Sequence, residues 1–141
     1  MRRSAFTWIE LIFVIVILGL LAATALVKFN GMAERANEAK LHAMVGSLNR
    51  TSGAGFWYRS IGEGRSGSVA FSEYSSAFDQ YMDLVPGYTV GPSLENCNAS
   101  GTGLLLRYIY TDTYEVHCKD GSDIESPYFR LYNVTKGEYI E

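Results

Sequence analysis

The chain has few of the residues that most often carry chemistry. Its 141 residues include two histidines, His42 and His117, and two cysteines, Cys97 and Cys118. Such sparse material gives no Ser-His-Asp or Cys-His arrangement, and no pair of carboxylates is marked out by its position. The glycine-rich segment 62–67 lacks the Gly-Lys-Ser/Thr ending of a phosphate-binding loop. The sequence therefore predicts a protein that is not an enzyme.

Basic residues are also in the minority. The 12 Lys and Arg stand against 15 Asp and Glu, which gives a formal net charge of −3 at pH 7. A mildly acidic chain without a basic stripe argues against nucleic-acid binding as its main role. The composition is otherwise that of a folded protein, with 48% hydrophobic and 13% aromatic residues. The length allows one domain plus an N-terminal helix.

One apolar run dominates the beginning of the chain. Residues 11–27 carry no charged side chain, Arg2 and Arg3 precede the run, and Lys28 closes it. Read with residues 6–9, the run has the length of a helix that crosses a bilayer, which needs about 20 residues. Such a helix satisfies its backbone hydrogen bonds internally, as lipid requires. The basic start places the N-terminus in the cytoplasm and the rest of the chain outside.

Glu10 is the one acid beside this run. A carboxylate in a membrane helix costs about 2.5–3.5 kcal/mol when central and less near an end, so a cationic partner is expected. Arg3 lies seven residues back, more than one helical turn away. If the chain is cut just before Phe6, the new α-amine supplies a cation. The amine of one copy can then neutralise Glu10 of a neighbouring copy and fix the register of two identical helices.

The segment Ala5-Phe6-Thr7-Trp8-Ile9-Glu10, between a basic leader and the apolar run, resembles the class III signal of type IV pilins and type II secretion pseudopilins. The resemblance covers about residues 1–30. It implies that prepilin peptidase removes the leader 1–5 between Ala5 and Phe6 and that Phe6 is N-methylated. It also implies that Glu10 neutralises the N-terminus of a neighbouring subunit.

The resemblance further implies a location and a set of partners. Residues 6–27 are then the transmembrane and assembly helix, and residues 28–141 are a periplasmic or extracellular head. The protein is a single-pass protein of the bacterial inner membrane that leaves the lipid to enter a pilus or pseudopilus. Its partners are homologous subunits, the prepilin peptidase and the inner-membrane assembly platform. Family members often carry a late Pro in this helix; residues 22–27 have none, which favours a pseudopilin or minor pilin.

An ordinary signal peptide is the alternative. Arg2 and Arg3 form a basic start, residues 11–21 an apolar middle, and Ala23-Thr24-Ala25 a cleavage site of the A-x-A type. The chain is then a secreted or membrane-anchored binding module, and its freely secreted form starts at Leu26. Its contact surface is the aromatic triplet 56–58. The acid just before the apolar run argues against this alternative.

The pattern of helices continues after the membrane segment. Apolar residues recur at spacings of three and four through residues 28–52, so we expect an amphipathic helix that stops near Ser52. The composition of residues 53–72 and 88–103 predicts loops. Residues 73–83 predict a short helix with Ser72 as its N-cap.

The last third of the chain has the pattern of strands. Residues 104–110, 113–118, 128–134 and 138–140 are rich in β-branched and aromatic residues. They predict an antiparallel sheet of three to four strands with one face available to the amphipathic helix. The fold class is α+β: a long N-terminal helix, half membrane-spanning and half amphipathic, packed on a small sheet. It matches the architecture that the resemblance to pilins implies.

The two cysteines predict a disulfide. Cys97 and Cys118 both fall in the part of the chain expected outside the cytoplasm, where a disulfide is the default. Closing that loop stabilises the fold by about 3 kcal/mol in the chain-entropy model.

The acidic turn after Cys118 is a candidate calcium site. Asp120, Asp123 and Glu125 supply the oxygens that Ca²⁺ prefers. In the family that the N-terminal segment resembles, major pseudopilins hold calcium in their C-terminal loops. The spacing is not that of a D-x-D-x-D-G calcium loop. An exposed acidic turn without metal is therefore the alternative, and no other cofactor is expected.

Overall fold

The structure is a computed structural model that describes residues 7–140, apart from the side chains of Asn30 and Asp79. The chain divides into two compact units, Met1–Ala36 and Asn37–Glu141. The helical elements are α1 (Trp8–Ser47), a π-helical segment (Leu48–Ser52), α2 (Gly53–Gly62) and α3 (Ser72–Tyr81). The strands are β1 (Tyr88–Val90), β2 (Gly103–Ile109), β3 (Thr113–Lys119), β4 (Tyr128–Asn133) and β5 (Glu138–Ile140), and a 3-10 turn (Leu94–Asn96) lies between β1 and β2.

The first part of α1 is apolar on all sides. The large hydrophobic side chains of residues 8–27 are between 41% and 78% exposed. A helix of this kind belongs in lipid or among other apolar helices. Within the described residues it belongs to the one helix that is long and apolar enough to cross a membrane, judged by length and composition. The predicted transmembrane helix is confirmed in its length and apolar composition.

The last part of α1 belongs to the second unit and has a single apolar face. Leu41, Met44 and Val45 are buried and recur at helical spacing, and Leu48 of the π-helical segment continues the same buried face. The predicted amphipathic helix is therefore present. It packs with the aromatic and aliphatic inner face of the sheet in one hydrophobic core.

The helix does not stop at Ser52 as expected. The chain continues through the π-helical segment, in which the N–H of Gly53 donates to the carbonyl of Leu48. Two side chains of this segment also bond to carbonyls of the preceding turn. Arg50 Nε donates to the carbonyl of Gly46 at 3.2 Å, and Thr51 Oγ1 donates to the carbonyl of Ser47 at 2.8 Å.

The prediction of a loop over residues 53–72 is wrong for its first half, which is α2. Its glycines have low helix propensity, but tertiary packing decides the outcome. Phe56 is 6% exposed and lies in the core. Gly53 brings the helix close to the sheet, because a Cβ there would stand 3.0 Å from the Phe129 ring and 3.1 Å from the Leu48 carbonyl. The helix predicted at 73–83 is present as α3, but its N-cap is Phe71 rather than Ser72.

The sheet is an antiparallel meander in the order β1-β2-β3-β4-β5. The four predicted strands are present as β2 to β5. The predicted number of three to four is wrong, because within the described residues there are five strands. The missed strand, β1, falls in the stretch 88–103 that was expected to be a loop. It has three residues, too few to show an alternating pattern.

In β3 and β4 the inner face of the sheet is set by alternation of buried and outward-facing residues. Tyr114, Val116 and Cys118 of β3 are buried, while the residues between them face the other side. Phe129 and Leu131 of β4 follow the same rule. The α+β fold class, with a long N-terminal helix on an antiparallel sheet, is confirmed.

Candidate functional site

Glu10 lies in the first turn of α1. Its backbone N–H donates to the Thr7 carbonyl at 3.1 Å and lies 3.4 Å from Thr7 Oγ1. Thr-x-x-Glu at the start of a helix is the capping-box pattern, in which the hydroxyl caps an N–H that has no helical partner. Sequence reasoning missed this role of Thr7, and the signal was the three-residue spacing itself. The predicted processing residues Ala5 and Phe6 lie outside the described residues.

The carboxylate of Glu10 is isolated from cations along α1. The next basic residue in the chain is Lys28, 18 positions further, which is about 27 Å along a helix. The ion pairs found within residues 7–140 all join positions between 59 and 125, so none involves Glu10. The positive end of the helix dipole favours a first-turn acid by about 0.3–1 kcal/mol. It does not supply a cationic partner for the carboxyl group.

The predicted disulfide is present in the head. The Cys97 and Cys118 sulfurs are 2.01 Å apart and the Cα atoms 5.0 Å apart. Both side chains are buried. The bond joins β3 to the segment that follows the 3-10 turn. Gly103 permits this close approach, because a Cβ at that position would collide with the carbonyl of Asn96.

The acidic turn holds two loops together. Asp120 accepts hydrogen bonds from Ser68 Oγ and from the Val69 N–H, both at 2.7 Å. Glu125 pairs with Lys119 Nζ at 2.8 Å. Asp120, Asp123 and Glu125 are not brought together as a metal-binding group, and within residues 7–140 no three His, Cys, Asp or Glu side chains are. Asp120 and Glu125 already have these partners, so the turn does not present a ready set of calcium ligands.

The aromatic triplet does not form one contact surface. Phe56 is in the core, and Trp57 Nε1 donates to the Ser122 carbonyl at 2.7 Å. Tyr58 is 68% exposed. Only one ring of the three is therefore fully available to a partner, which weakens the binding-module hypothesis.

A polar network that sequence reasoning missed lies on the outer face of the sheet. Glu115 accepts from Arg107 Nη2 at 2.6 Å and lies 2.9 Å from His117 Nε2. His117 Nδ1 is 3.0 Å from the hydroxyl of Tyr139, which ties β5 into the network. Burial raises the pKa of Glu115, but the hydrogen bonds from His117 and Arg107 outweigh it and leave that pKa below its ordinary value. The available signal was the two-residue spacing of Glu115 and His117 on one face of β3.

Comparisons with protein-family models, with curated protein sequences and with solved structures found no match for this chain. The class of protein is therefore defined by its own architecture. A long N-terminal helix, apolar at first and amphipathic later, is followed by a five-stranded antiparallel meander within the described residues. This arrangement is consistent with a pilin-like fold.

Proposed function

We propose that the chain is a structural subunit of a type II secretion pseudopilus or a type IV pilus, specifically a pseudopilin or minor pilin. The observation that carries the proposal is Glu10, a carboxylate in the first turn of an exposed apolar helix, with no ion-pair partner within residues 7–140. Such a charge is unfavourable in lipid, and a cation from outside the described chain would stabilise it.

Processing would supply that cation. Prepilin peptidase cleaves between Ala5 and Phe6, and the α-amine of Phe6, which is then N-methylated, becomes the first group of the chain. The amine of one subunit pairs with Glu10 of its neighbour. Lipid and a bundle of apolar helices are similar environments, so the helix leaves the inner membrane for a filament at little cost. The charge pair sets the axial position of each new subunit on the assembly platform.

Glu10 has two possible roles, and one substitution separates them. A glutamine at the third helical position completes a capping box as well as a glutamate does. If Glu10 only caps the helix, Glu10→Gln behaves like the parent. If its charge pairs with a neighbour, Glu10→Gln enters the membrane and is processed but does not assemble. Glu34→Gln removes an acid from the same helix and is the matched control.

The experiment uses the full chain expressed in a bacterium with its assembly machinery. N-terminal sequencing is expected to give a start at Phe6. Membrane extraction and copy-to-copy crosslinking are expected to show Glu10→Gln in the membrane but absent from the polymer, and Glu34→Gln in both. Normal assembly of Glu10→Gln contradicts the charge-pairing role. A start at Leu26 contradicts the assembly function as a whole and supports a secreted binding module.

A further inference from the structure

A cavity of about 380 Å³ opens in the head, beside the π-helical segment. Its lining residues come from the π-helical segment, α2 and the end of α3: Thr51, Ser52, Gly55, Phe56, Arg59 and Tyr81. The volume is within the range of small-molecule pockets, which is about 300–1,000 Å³. π-Helical turns are also frequent at functional sites. Nothing in the proposed assembly role uses this cavity.

Two aromatic rings form one corner of the cavity. The ring centroids of Phe56 and Tyr81 are 6.1 Å apart and the rings are nearly perpendicular, at 89°. Phe56 is anchored in the core, whereas Tyr81 is 66% exposed at the last turn of α3. A corner of this kind offers the face of one ring and the edge of another to a flat aromatic group.

The room in the cavity comes from a glycine that the fold does not require. Gly53 is needed for close packing against Phe129, but a Cβ on Gly55 would meet no atom within 4 Å. Gly55 has a helical backbone inside α2, where glycine is less favourable than alanine. Its missing side chain therefore leaves open space beside Phe56 without a packing reason.

The charged group of the cavity is the guanidinium of Arg59, which has N–H donors that are not used in hydrogen bonds within the described residues. Arg59 Nε donates to Glu63 Oε1 at 2.7 Å, and within the described residues its two terminal amino groups make no hydrogen bond. A guanidinium has five N–H donors and binds carboxylates in a planar, bidentate manner. The hydroxyl of Thr51 donates to the Ser47 carbonyl and keeps its lone pairs as acceptors.

We infer that this cavity binds a small aromatic carboxylate. The flat ring lies over Gly55 against Phe56 and Tyr81, and the carboxylate takes the free amino groups of Arg59. An N–H on the ring donates to the Thr51 hydroxyl. A purely apolar ligand would leave the donors of Arg59 unused, and a ligand without a ring would leave the aromatic corner empty.

The test measures binding of indoleacetate to the full chain in lipid nanodiscs by ligand-detected NMR titration, with empty nanodiscs subtracted. Gly55→Leu fills the cavity with a side chain that favours helices, so it is expected to weaken binding about tenfold or more while the head melts no lower than the parent. Gly62→Leu, at the end of the same helix and outside the cavity, is the matched control and is expected to bind like the parent.

The charge is tested separately. Indoleacetamide, which has the same ring without the charge, and Arg59→Gln are each expected to weaken binding about tenfold or more, because a charge-assisted pair is lost. Arg59→Lys is expected to retain part of the affinity.

Equal binding by the parent and Gly55→Leu, or no binding of indoleacetate by the parent, overturns the inference. A copy-to-copy crosslink at Tyr81 that Gly55→Leu abolishes, without indoleacetate binding, assigns the cavity to a second copy instead. None of these outcomes depends on Glu10.

Discussion

The side-chain amide of Asn49 pairs with the main chain of Phe129 as a neighbouring strand would. Asn49 Nδ2 donates to the Phe129 carbonyl at 2.9 Å, and the Phe129 N–H donates to Asn49 Oδ1 at 2.8 Å. β5 pairs with β4 only at Leu131–Asn133. The outer main-chain groups of Phe129 are therefore satisfied by a helical side chain 80 positions earlier in the chain. The π-helical segment places that amide against β4.

Replacing Asn49 should destabilise the head. Asn49→Ala leaves the Phe129 N–H and carbonyl without partners, and we expect a loss of about 2–3 kcal/mol, because an unsatisfied buried polar group costs about 1–3 kcal/mol. Asn49→Asp still accepts from the N–H but cannot donate to the carbonyl, so it should also be destabilising. Urea denaturation of the full chain in mild detergent, followed by near-UV circular dichroism, measures the change.

The neighbouring position supplies the control for Asn49. Arg50 is exposed, and among residues 7–140 its side chain bonds only locally, to the carbonyl of Gly46. Arg50→Ala should therefore change the free energy of unfolding by no more than about 0.5 kcal/mol. Equal effects of Arg50→Ala and Asn49→Ala would show that the pairing with Phe129 does not stabilise the sheet.

The disulfide should stabilise the head but not the apolar helix. Cys97 and Cys118 are separated by 21 positions, and closing a loop of that size contributes about 3 kcal/mol in the chain-entropy model. Reduction, or the double change Cys97→Ala with Cys118→Ala, should lower the free energy of unfolding by about 3 kcal/mol. The loss should appear as a lower urea midpoint. Alanine avoids placing a new polar group at two buried sites. An unchanged midpoint after complete reduction, verified by thiol titration, would contradict the prediction.

Asp120 should stabilise the contact between two loops through its hydrogen bonds and should not act as a metal ligand. Asp120→Ala removes the acceptors of Ser68 and Val69, so we expect faster proteolysis near residues 67–70. Asp120→Asn keeps one acceptor oxygen, and its amide can donate to the Ser68 hydroxyl, so it should resemble the parent. Calcium should leave the melting temperature of all three proteins unchanged. A calcium-dependent rise that Asp120→Asn abolishes would restore the metal hypothesis.

The parts of the fold with a strong local pattern could be predicted from the sequence. The apolar run gave the first part of α1, and the alternation of Tyr114, Val116 and Cys118 gave β3. Glu10 could be singled out because a single acid beside an apolar run contrasts with its surroundings. These signals are contained within a few consecutive residues.

The features that could not be predicted from the sequence depend on partners far away in the chain. The glycines of α2 predict a loop locally, and only the burial of Phe56 and the close approach of Gly53 to Phe129 make that segment helical. The role of Asn49 is set by the same distant strand. β1 is recognisable only through its pairing with β2, because its three residues carry no period of their own.

The stability of the head should fall in acid partly because of Glu115. Hydrogen bonds from His117 and Arg107 outweigh the effect of burial and hold the pKa of Glu115 below its ordinary value in the folded protein. A depressed folded pKa means that the unfolded chain takes up the proton first as the pH falls. The stabilisation is therefore complete above the unfolded pKa of about 4.3 and is lost as the pH drops through the lower folded pKa.

Glu115→Gln has no charge to lose, so its urea midpoint should be lower than that of the parent at pH 7 and should change less between about pH 5 and pH 3. Parallel pH profiles of the two proteins across that window would show that the Glu115 network does not contribute to acid stability.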